Sequence, residues 1–393
     1  MKSESVRRIA RGLFHLTSFV IQIKYSKSKK LNLYNNIGSI IVFRPDNLGD
    51  FVLSIPAIIS IKKFFPKSKI TCVVNPDSST LANKVCDKVI NYTSPFVHSK
   101  GLVNSINYKY ILNVLKEIKE TKYDLILDLR SDILTLLFAI FDRNCKFRID
   151  SSSKRIIPVF YKTVNMLLRK QIFEIKKVHE MDFICELLKN STNIIADCKV
   201  DLSETLSQED ISNSLELIPQ KMLNKPFAIL HPGASWEYRM WSTEKYSKIA
   251  NLLIEKYNLA IIIVGTKNEM NIANSLYSLI KEKENVINLC GKTSVLDIIS
   301  LSKLSAVVIC NDSAIGHIAA MSGANTISLF GAQDPEVFGP RGENVYIVRK
   351  KIECSPCAQI HCVKPEGKRC MDLISVDDVM DVFKQIKKDG KLI

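Results

Sequence analysis

The sequence lacks the usual signals for crossing a membrane, cradling a nucleotide or holding a catalytic metal. No stretch reaches the roughly 18 apolar residues of a transmembrane helix, although 46% of the 393 residues are hydrophobic. Neither G-x-x-x-x-G-K-[ST] nor G-x-G-x-x-G occurs, so a P-loop and the usual dinucleotide fingerprint are excluded. No D-x-D pair offers a sequence-local carboxylate site for Mg²⁺ or Mn²⁺. A diphosphate ligand would therefore have to be neutralised by helix N-termini and basic side chains.

Short Ile- and Val-rich runs alternate with longer amphipathic runs from residue 39 onwards. The runs are "SIIVF", "KITCVV" and "YDLILDL", and after a polar region at 201–225 they are "PFAILHP", "LAIIIVG", "AVVICND" and "NTISLFG". Such alternation predicts parallel, doubly wound sheets, and the length is too great for one ordinary core. We therefore expect an α/β protein with two Rossmann-like domains facing one cleft, at 37–222 and 223–350.

The net charge of +15 is concentrated at the N-terminus. Residues 1–30 contain eight Lys or Arg and one Glu, and apolar residues recur there at three- and four-residue steps. This pattern favours a helix on an anionic membrane surface for segment 1–36, and the basic stretch 154–177 indicates the same. A signal peptide and a helix packed on the protein are the alternatives. Nucleic acid is disfavoured, because aromatic residues are not interleaved for base stacking.

The stretch "FRPDNLGDFVLSIPAI" joins a hydrophobic strand to an apolar helix through polar residues. Asp50 lies near the start of that helix, where a carboxylate can simply cap free backbone amides. Alternatively, Asp50 faces a substrate in the crevice at the carboxyl ends of the parallel strands.

Polar groups also follow the strands of the second half. They are Ser235 and Arg239 in "HPGASWEYRMWS", Glu269 in "VGTKNE", and Asp312, Ser313 and His317 in "NDSAIGH". Together they could bind a diphosphate and ribose hydroxyls. The alternatives are helix capping for Asp312 and Ser313, a solvated face for Glu269, and a packed core position for His317.

Four of the eleven cysteines form a C-x2-C-x4-C-x7-C array in segment 351–393, which ends in a predicted helix. They are Cys354, Cys357, Cys362 and Cys370. Thiolates at this spacing predict a structural zinc site, with free thiols and disulfides as the alternatives. The other seven are scattered, as buried small apolar residues often are.

The motifs together resemble those of glycosyltransferase family 9, the ADP-heptose:lipopolysaccharide heptosyltransferases. The resemblance rests on "R-x-x-x-LGD-x-V-x-x-x-P", "HPGAS", "VGTKNE", "GKTS", "NDS-x-x-x-H-x-AA" and "LFGAQDP", in that order, from about residue 38 to the end. It implies a GT-B fold and inverting, metal-independent transfer of heptose to the inner core of lipopolysaccharide.

The resemblance also implies roles for individual residues. Asp50 matches the catalytic base, and the donor-binding positions are Ser235, Arg239, Glu269, Gly291, Lys292, Asp312, Ser313 and His317. Arg239, Ser313 and Ala314 stand where the family commonly has Lys, Thr and Gly, so a related sugar is an alternative to heptose.

The expected protein is thus a cytoplasmic enzyme, peripheral on the inner face of the cytoplasmic membrane, with a nucleotide-sugar donor and a lipid-linked glycan acceptor. It needs no cofactor for catalysis. A GT-B nucleotide-sugar epimerase and a non-catalytic paralogue that binds nucleotide sugar or lipid are the alternative functions.

Overall fold

The computed structural model describes residues 37–94, 107–130, 134–135, 137–138, 147–150, 178–357, 362 and 367–392. The chain divides into two compact units, with the boundary between Cys198 and Lys199. Each unit is built on its own parallel sheet. The N-terminal segment 1–36 and the basic stretch 154–177 lie outside the described residues.

The first unit has a five-stranded parallel sheet in the order β3-β2-β1-β4-β5. Its strands are β1 (Ser39–Arg44), β2 (Lys69–Val74), β3 (Lys88–Asn91), β4 (Leu125–Asp128) and β5 (Phe147–Asp150), and its helices are α1 (Leu48–Val52), α2 (Ile55–Phe64), α3 (Ser79–Val85), α4 (Tyr108–Lys119) and α5 (Glu180–Thr192). The chain passes from β1 outward to β2 and β3 and then returns to β4 on the other side of β1. The carboxyl end of β1 therefore lies at the point where the strand order reverses, which is where open α/β sheets hold ligands.

The second unit has a six-stranded parallel sheet in the order β11-β10-β9-β6-β7-β8. Its strands are β6 (Phe227–His231), β7 (Ala260–Ile263), β8 (Val286–Asn288), β9 (Val307–Asn311), β10 (Thr326–Phe330) and β11 (Val345–Arg349), and its helices are α6 (Gln208–Glu216), α7 (Gln220–Leu223), α8 (Thr243–Tyr257), α9 (Met270–Leu279), α10 (Val295–Leu304), α11 (Ala314–Met321), α12 (Pro335–Phe338), α13 (Arg369–Asp372) and α14 (Val376–Lys388). Strand order reverses between β6 and β9. The predicted doubly wound α/β architecture is confirmed in both units.

Several helices of the second unit begin where a side chain caps free amides. Ser242 accepts from the amide of Lys245 at the start of α8. Ser294 and Asp297 form a reciprocal capping box at α10. Each such cap is worth about 1 kcal/mol. The "GKTS" motif therefore ends in a helix cap.

The boundary between the units lies earlier than the expected residue 222. Helix α6 packs on α10 of the second unit, where Ser214 Oγ lies 2.6 Å from Ser300 Oγ. Lys303 Nζ also pairs with Asp201 Oδ2 at 2.7 Å. These contacts hold the polar region after residue 198 in the second unit.

The end of the chain is part of the second unit and not a separate segment from residue 351. Phe383 and Ile386 of α14 are completely buried in the same hydrophobic core as strands β6, β7 and β9. Burying a Phe side chain stabilises the fold by about 1.5–3 kcal/mol. The indole Nε1 of Trp241 also donates to the carbonyl of Ile374 at 2.9 Å, which links this end of the chain to the loop after β6.

No helix in the described part of the chain is both long enough and apolar enough to cross a membrane.

Candidate active site

A charged cluster lies at the carboxyl end of β1. Arg44 ends the strand and is completely buried. Its Nη1 lies 3.2 Å from Asp46 Oδ2, while its Nη2 lies 3.7 Å from Asp50 Oδ1 and 3.4 Å from Glu180 Oε1. Asp46 is almost completely buried and pairs with Arg130 Nε at 2.7 Å. Four charged side chains are thus gathered around Asp50, and with Asp50 they come from three separate parts of the chain.

Asp50 is not the cap of the helix that follows β1. The sequence suggested one helix after β1, but the chain forms the short helix α1, which begins after Asn47, and then turns into α2. Asp50 is the third residue of α1, and its carboxylate faces Arg44. Its side chain is 33% exposed, so a second molecule can reach it.

The surroundings of Asp50 raise its proton affinity. Burial and the neighbouring carboxylate of Asp46 raise its pKa to about 6, with Glu180 adding to the effect and Arg44 and Arg130 opposing it. At neutral pH the carboxylate is therefore mostly ionised, yet it binds a proton far more readily than an ordinary Asp. This combination suits a general base.

In the second unit, Asn311 holds the loop that follows β6. Its Nδ2 donates to the carbonyls of Pro232 and Gly233 at 2.8 and 3.1 Å, and its Oδ1 accepts from the amide of Trp241 at 3.0 Å. The side chain is completely buried. One residue at the end of β9 thus fixes both sides of the "HPGAS" loop.

Asp312 pairs with Arg239 on this loop, and the capping role considered for Asp312 is not realised. Arg239 Nη1 lies 3.2 Å from Asp312 Oδ2. Burial raises the pKa of Asp312 to about 6, and the Arg239 guanidinium opposes that rise. The Nε of Arg239 is buried and has no hydrogen-bond partner among the described residues. It is therefore a donor whose hydrogen-bonding capacity is unused among the described residues.

Glu269 is held in place by three groups and is not on a solvated face. One oxygen accepts from the Thr266 amide at 2.7 Å and from the Thr266 hydroxyl at 2.9 Å, and His231 Nε2 lies 3.4 Å from the other oxygen. Burial would raise the pKa of Glu269, but the hydrogen bonds from His231 and Thr266 outweigh it and lower the pKa to about 2. Glu269 is therefore a permanently ionised acceptor.

Ser313 immediately precedes α11, and its side chain does not cap the helix. Its Oγ lies 3.1 Å from Nδ1 of His231, which in turn contacts Glu269. A chain of Ser313, His231 and Glu269 therefore crosses the carboxyl ends of β9, β6 and β7. Asp312 is next to Ser313 in sequence, so the Arg239 pair lies beside this chain.

The remaining expected donor-binding residues have varied surroundings. Ser235 and Lys292 are exposed, and His317 is buried on α11. Gly291 has φ +73°, and an added Cβ would come within 2.9 Å of Lys267 Cγ, so this turn requires glycine.

Sequence reasoning missed Arg44, Glu180, His231 and Asn311 as members of these clusters. Arg44, His231 and Asn311 stand inside the quoted motifs, so their position at strand ends could have indicated them. Glu180 follows β1 by more than 130 residues and carries no local signal.

The four C-terminal cysteines line one cavity of about 350 Å³. Cys370 is buried there, Cys354 is half-buried, and Cys357 and Cys362 are exposed. In the described ranges, no three His, Cys, Asp or Glu side chains are arranged to hold a metal ion. The zinc site therefore stays a prediction. Two of the seven scattered cysteines, Cys72 and Cys86, form a disulfide.

Similar solved structures show the same fold. The structure of E. coli ADP-heptose lps heptosyltransferase II has a TM-score of 0.65 and 15% identity, covering 90% of this chain and 99% of that one. The structure of E. coli heptosyltransferase WaaC with ADP has a TM-score of 0.63 and 14% identity, covering 88% of this chain and 99% of that one. The fold is that of the GT-B glycosyltransferases.

The family follows from sequence comparison. The model of glycosyltransferase family 9 (heptosyltransferase) matches residues 111–367. Lipooligosaccharide heptosyltransferase 2 of Campylobacter jejuni is 25% identical over 362 residues, covering 90% of this chain and 99% of the relative. The chain belongs to glycosyltransferase family 9, which confirms the resemblance seen in the motifs.

Proposed function

We propose that this enzyme transfers heptose, or a related sugar, from ADP-heptose to a lipopolysaccharide core or a similar lipid-linked glycan, with inversion and without a catalytic metal. The similar proteins named above are heptosyltransferases, one of them described as acting with ADP-heptose. The observation that carries the proposal is the carboxylate of Asp50, which is accessible at the end of β1 within a cluster that raises its proton affinity.

On the acceptor side, Asp50 takes the proton of the attacking hydroxyl. The acceptor oxygen forms a bond to the anomeric carbon as the bond from that carbon to the diphosphate breaks. The sugar has oxocarbenium character in between, and attack opposite the departing ADP inverts the configuration. The proton ends on Asp50 and the electron pair of the broken bond leaves with ADP.

On the donor side, the strand ends of the second unit supply the binding groups. Glu269 is ionised and accepts hydrogen bonds from ribose hydroxyls. Arg239 Nε and the free amides at the start of α11 stabilise the negative charge that develops on the leaving diphosphate. In this proposal Ser235, Gly291, Lys292, Ser313 and His317 lie along the donor.

The acceptor is displayed at the inner face of the cytoplasmic membrane. The basic segment 1–36 would hold the enzyme there, because clusters of Lys and Arg bind anionic and phosphorylated lipids. The charge of that segment supports this part of the proposal.

Calorimetric titration with ADP, UDP, GDP and ADP-heptose tests the donor. We expect ADP-heptose and ADP to bind and the other nucleotides to bind weakly. Glu269→Ala should lose most of the affinity, whereas Glu284→Ala, at an exposed position of the same unit, should not. Preference for UDP or GDP would reject ADP-heptose as the donor.

Release of ADP in the presence of a heptose-deficient lipopolysaccharide core tests the transfer. Asp50→Asn should lower the rate by roughly 10²- to 10⁴-fold with donor affinity unchanged. The matched control is Asp77→Asn, at an exposed position of the first unit. Activity of wild type should rise as pH increases through about 6, since the base must be ionised. Conversion of the donor sugar to its epimer without any acceptor would indicate an epimerase.

A further inference from the structure

Arg44 cannot turn within the cluster. Its Nη1 donates to the carbonyl of Leu129 at 2.7 Å, and its Nε donates to the carbonyl of Asp50 at 3.2 Å. Both hydrogen bonds go to backbone atoms, and the guanidinium is completely buried. The orientation of the guanidinium plane is therefore set by the fold, whichever carboxylates are present.

Two carboxylates share the Nη2 group of this fixed guanidinium. Glu180 Oε1 lies 3.4 Å from Nη2 and accepts a hydrogen bond, whereas Asp50 Oδ1 lies 3.7 Å away, beyond hydrogen-bond distance. Glu180 is the first residue of α5, which places its side chain against Arg44. Glu180 therefore holds the hydrogen bond to Nη2, and Asp50 interacts with Arg44 through charge alone at that group.

The cluster contains one more negative group than positive groups. The described charged residues that act on Asp50 are Arg44, Arg130, Asp46 and Glu180. With all of them ionised, these three carboxylates exceed the two guanidinium groups by one. The exposed fractions of the side chains are 1% for Asp46, 13% for Glu180 and 33% for Asp50. Of the three carboxylates, Asp50 is therefore the one that an outside hydroxyl can reach most easily.

We propose that Glu180 is a positioning residue for sugar transfer: by occupying Nη2 of the fixed Arg44, it prevents the carboxylate of Asp50 from pairing closely with that group and keeps Asp50 basic. This inference rests on the proposed function, in which Asp50 is the base. Without the Glu180 charge, less of the positive charge of Arg44 is offset and more of it acts on Asp50, while Asp46 stays paired with Nη1. With more positive charge acting on it, Asp50 holds a proton less tightly and accepts one from a sugar hydroxyl less readily.

The test is the pH profile of kcat/KM for Glu180→Gln, which keeps the shape of the side chain and removes its charge. The acidic limb should move to lower pH by roughly half a unit, because Glu180 is the weakest of the charges that act on Asp50. The plateau value of kcat/KM at high pH should fall roughly threefold, because a weaker base accepts the proton more slowly. Affinity for ADP should stay unchanged, since the donor contacts proposed above lie in the second unit.

Two further variants separate this role from a merely structural one. Glu186→Gln changes an exposed glutamate on the same helix and should leave the profile as in wild type. Glu180→Asp restores the charge and should return the acidic limb toward its original position. Thermal unfolding of each variant shows whether α5 is intact.

The outcomes are distinct. An unshifted acidic limb in folded Glu180→Gln, or a shift to higher pH, overturns the role of Glu180 while leaving Asp50 as the base. Full activity of Asp50→Asn overturns the proposed function itself and this inference with it. A lower rate with an unchanged pH profile for both Gln and Asp at position 180 would also refute the inference, because it indicates only a packing role.

Discussion

Asn311 gives the strongest quantitative prediction for the second unit. Replacing it with Ala removes the only side-chain group described as joining the two sides of the loop after β6. The carbonyls of Pro232 and Gly233 and the amide of Trp241 then lose a partner. Because the side chain is completely buried, these backbone groups are not already solvated.

The expected loss of stability follows from the number of hydrogen bonds that the substitution removes. Leaving a buried backbone group without a partner costs about 1–3 kcal/mol. Three such groups, partly relieved by movement of the loop and entry of water, predict a loss of about 3–5 kcal/mol in the free energy of unfolding. Denaturation in guanidinium chloride measures this value.

Asn325→Ala is the matched control. Asn325 Nδ2 also joins two backbone carbonyls, those of Ala306 and Lys391, at 3.0 and 2.8 Å. Asn325 precedes β10, at the opposite end of the strands from Asn311. We expect Asn325→Ala to lower stability by about 2–3 kcal/mol and leave ADP affinity unchanged.

Affinity for ADP distinguishes the two variants. Under conditions in which both are folded, Asn311→Ala should bind ADP at least roughly tenfold more weakly, a loss of about 1.4 kcal/mol, because the loop bearing Arg239 is no longer fixed. Equal affinity in the two variants, or a stability loss below about 1 kcal/mol for Asn311→Ala, would refute the reasoning that this side chain organises the donor site.

Three further predictions concern other parts of the chain. Gly233→Ala would place Cβ 2.0 Å from Glu269 Oε1 and displace that carboxylate, so affinity for ADP should fall roughly tenfold. The control is Gly38→Ala, whose Cβ would have its nearest atom at 3.7 Å and which should leave ADP affinity unchanged. Equal ADP affinities of the two variants by calorimetric titration would contradict the prediction. We propose that the cysteine cavity takes up zinc, so protein purified under reducing conditions should contain about one zinc per chain. Substituting Cys357 and Cys362 by Ser should remove it, and a metal-free, folded wild type would reject the site. Deletion of residues 1–36 should weaken sedimentation with anionic vesicles but not with neutral ones, and unchanged binding would exclude a membrane role for that segment.

The elements of the fold could be predicted because each carries a local signal. The Ile and Val runs of β1, β7 and β9 are continuous, as expected for strands buried on both faces of a parallel sheet. The boundary between the units could not be predicted in the same way. The polar region after residue 198 belongs to the second unit through contacts of α6 with α10, residues far apart in sequence.

Capping residues also show that the role of a side chain cannot always be predicted from the local sequence. Ser294 caps α10 in agreement with its local sequence, but Ser313 and Asp312, which suggested a cap equally well, instead contact His231 and Arg239. A cap and a binding group have the same short-range pattern. Only the neighbours brought in from other strands distinguish them.

The doubly wound α/β class, the family and the placement of polar residues at strand ends could all be read from the sequence, because periodicity and short motifs are local properties of the chain. The electrostatics of the site depend on the folded arrangement. Asp46 and Arg44 act on Asp50 from the same stretch of sequence, but Glu180 and Arg130 reach it from distant parts of the chain, and neither these two charges nor the burial of Asp50 can be read from the residues around it.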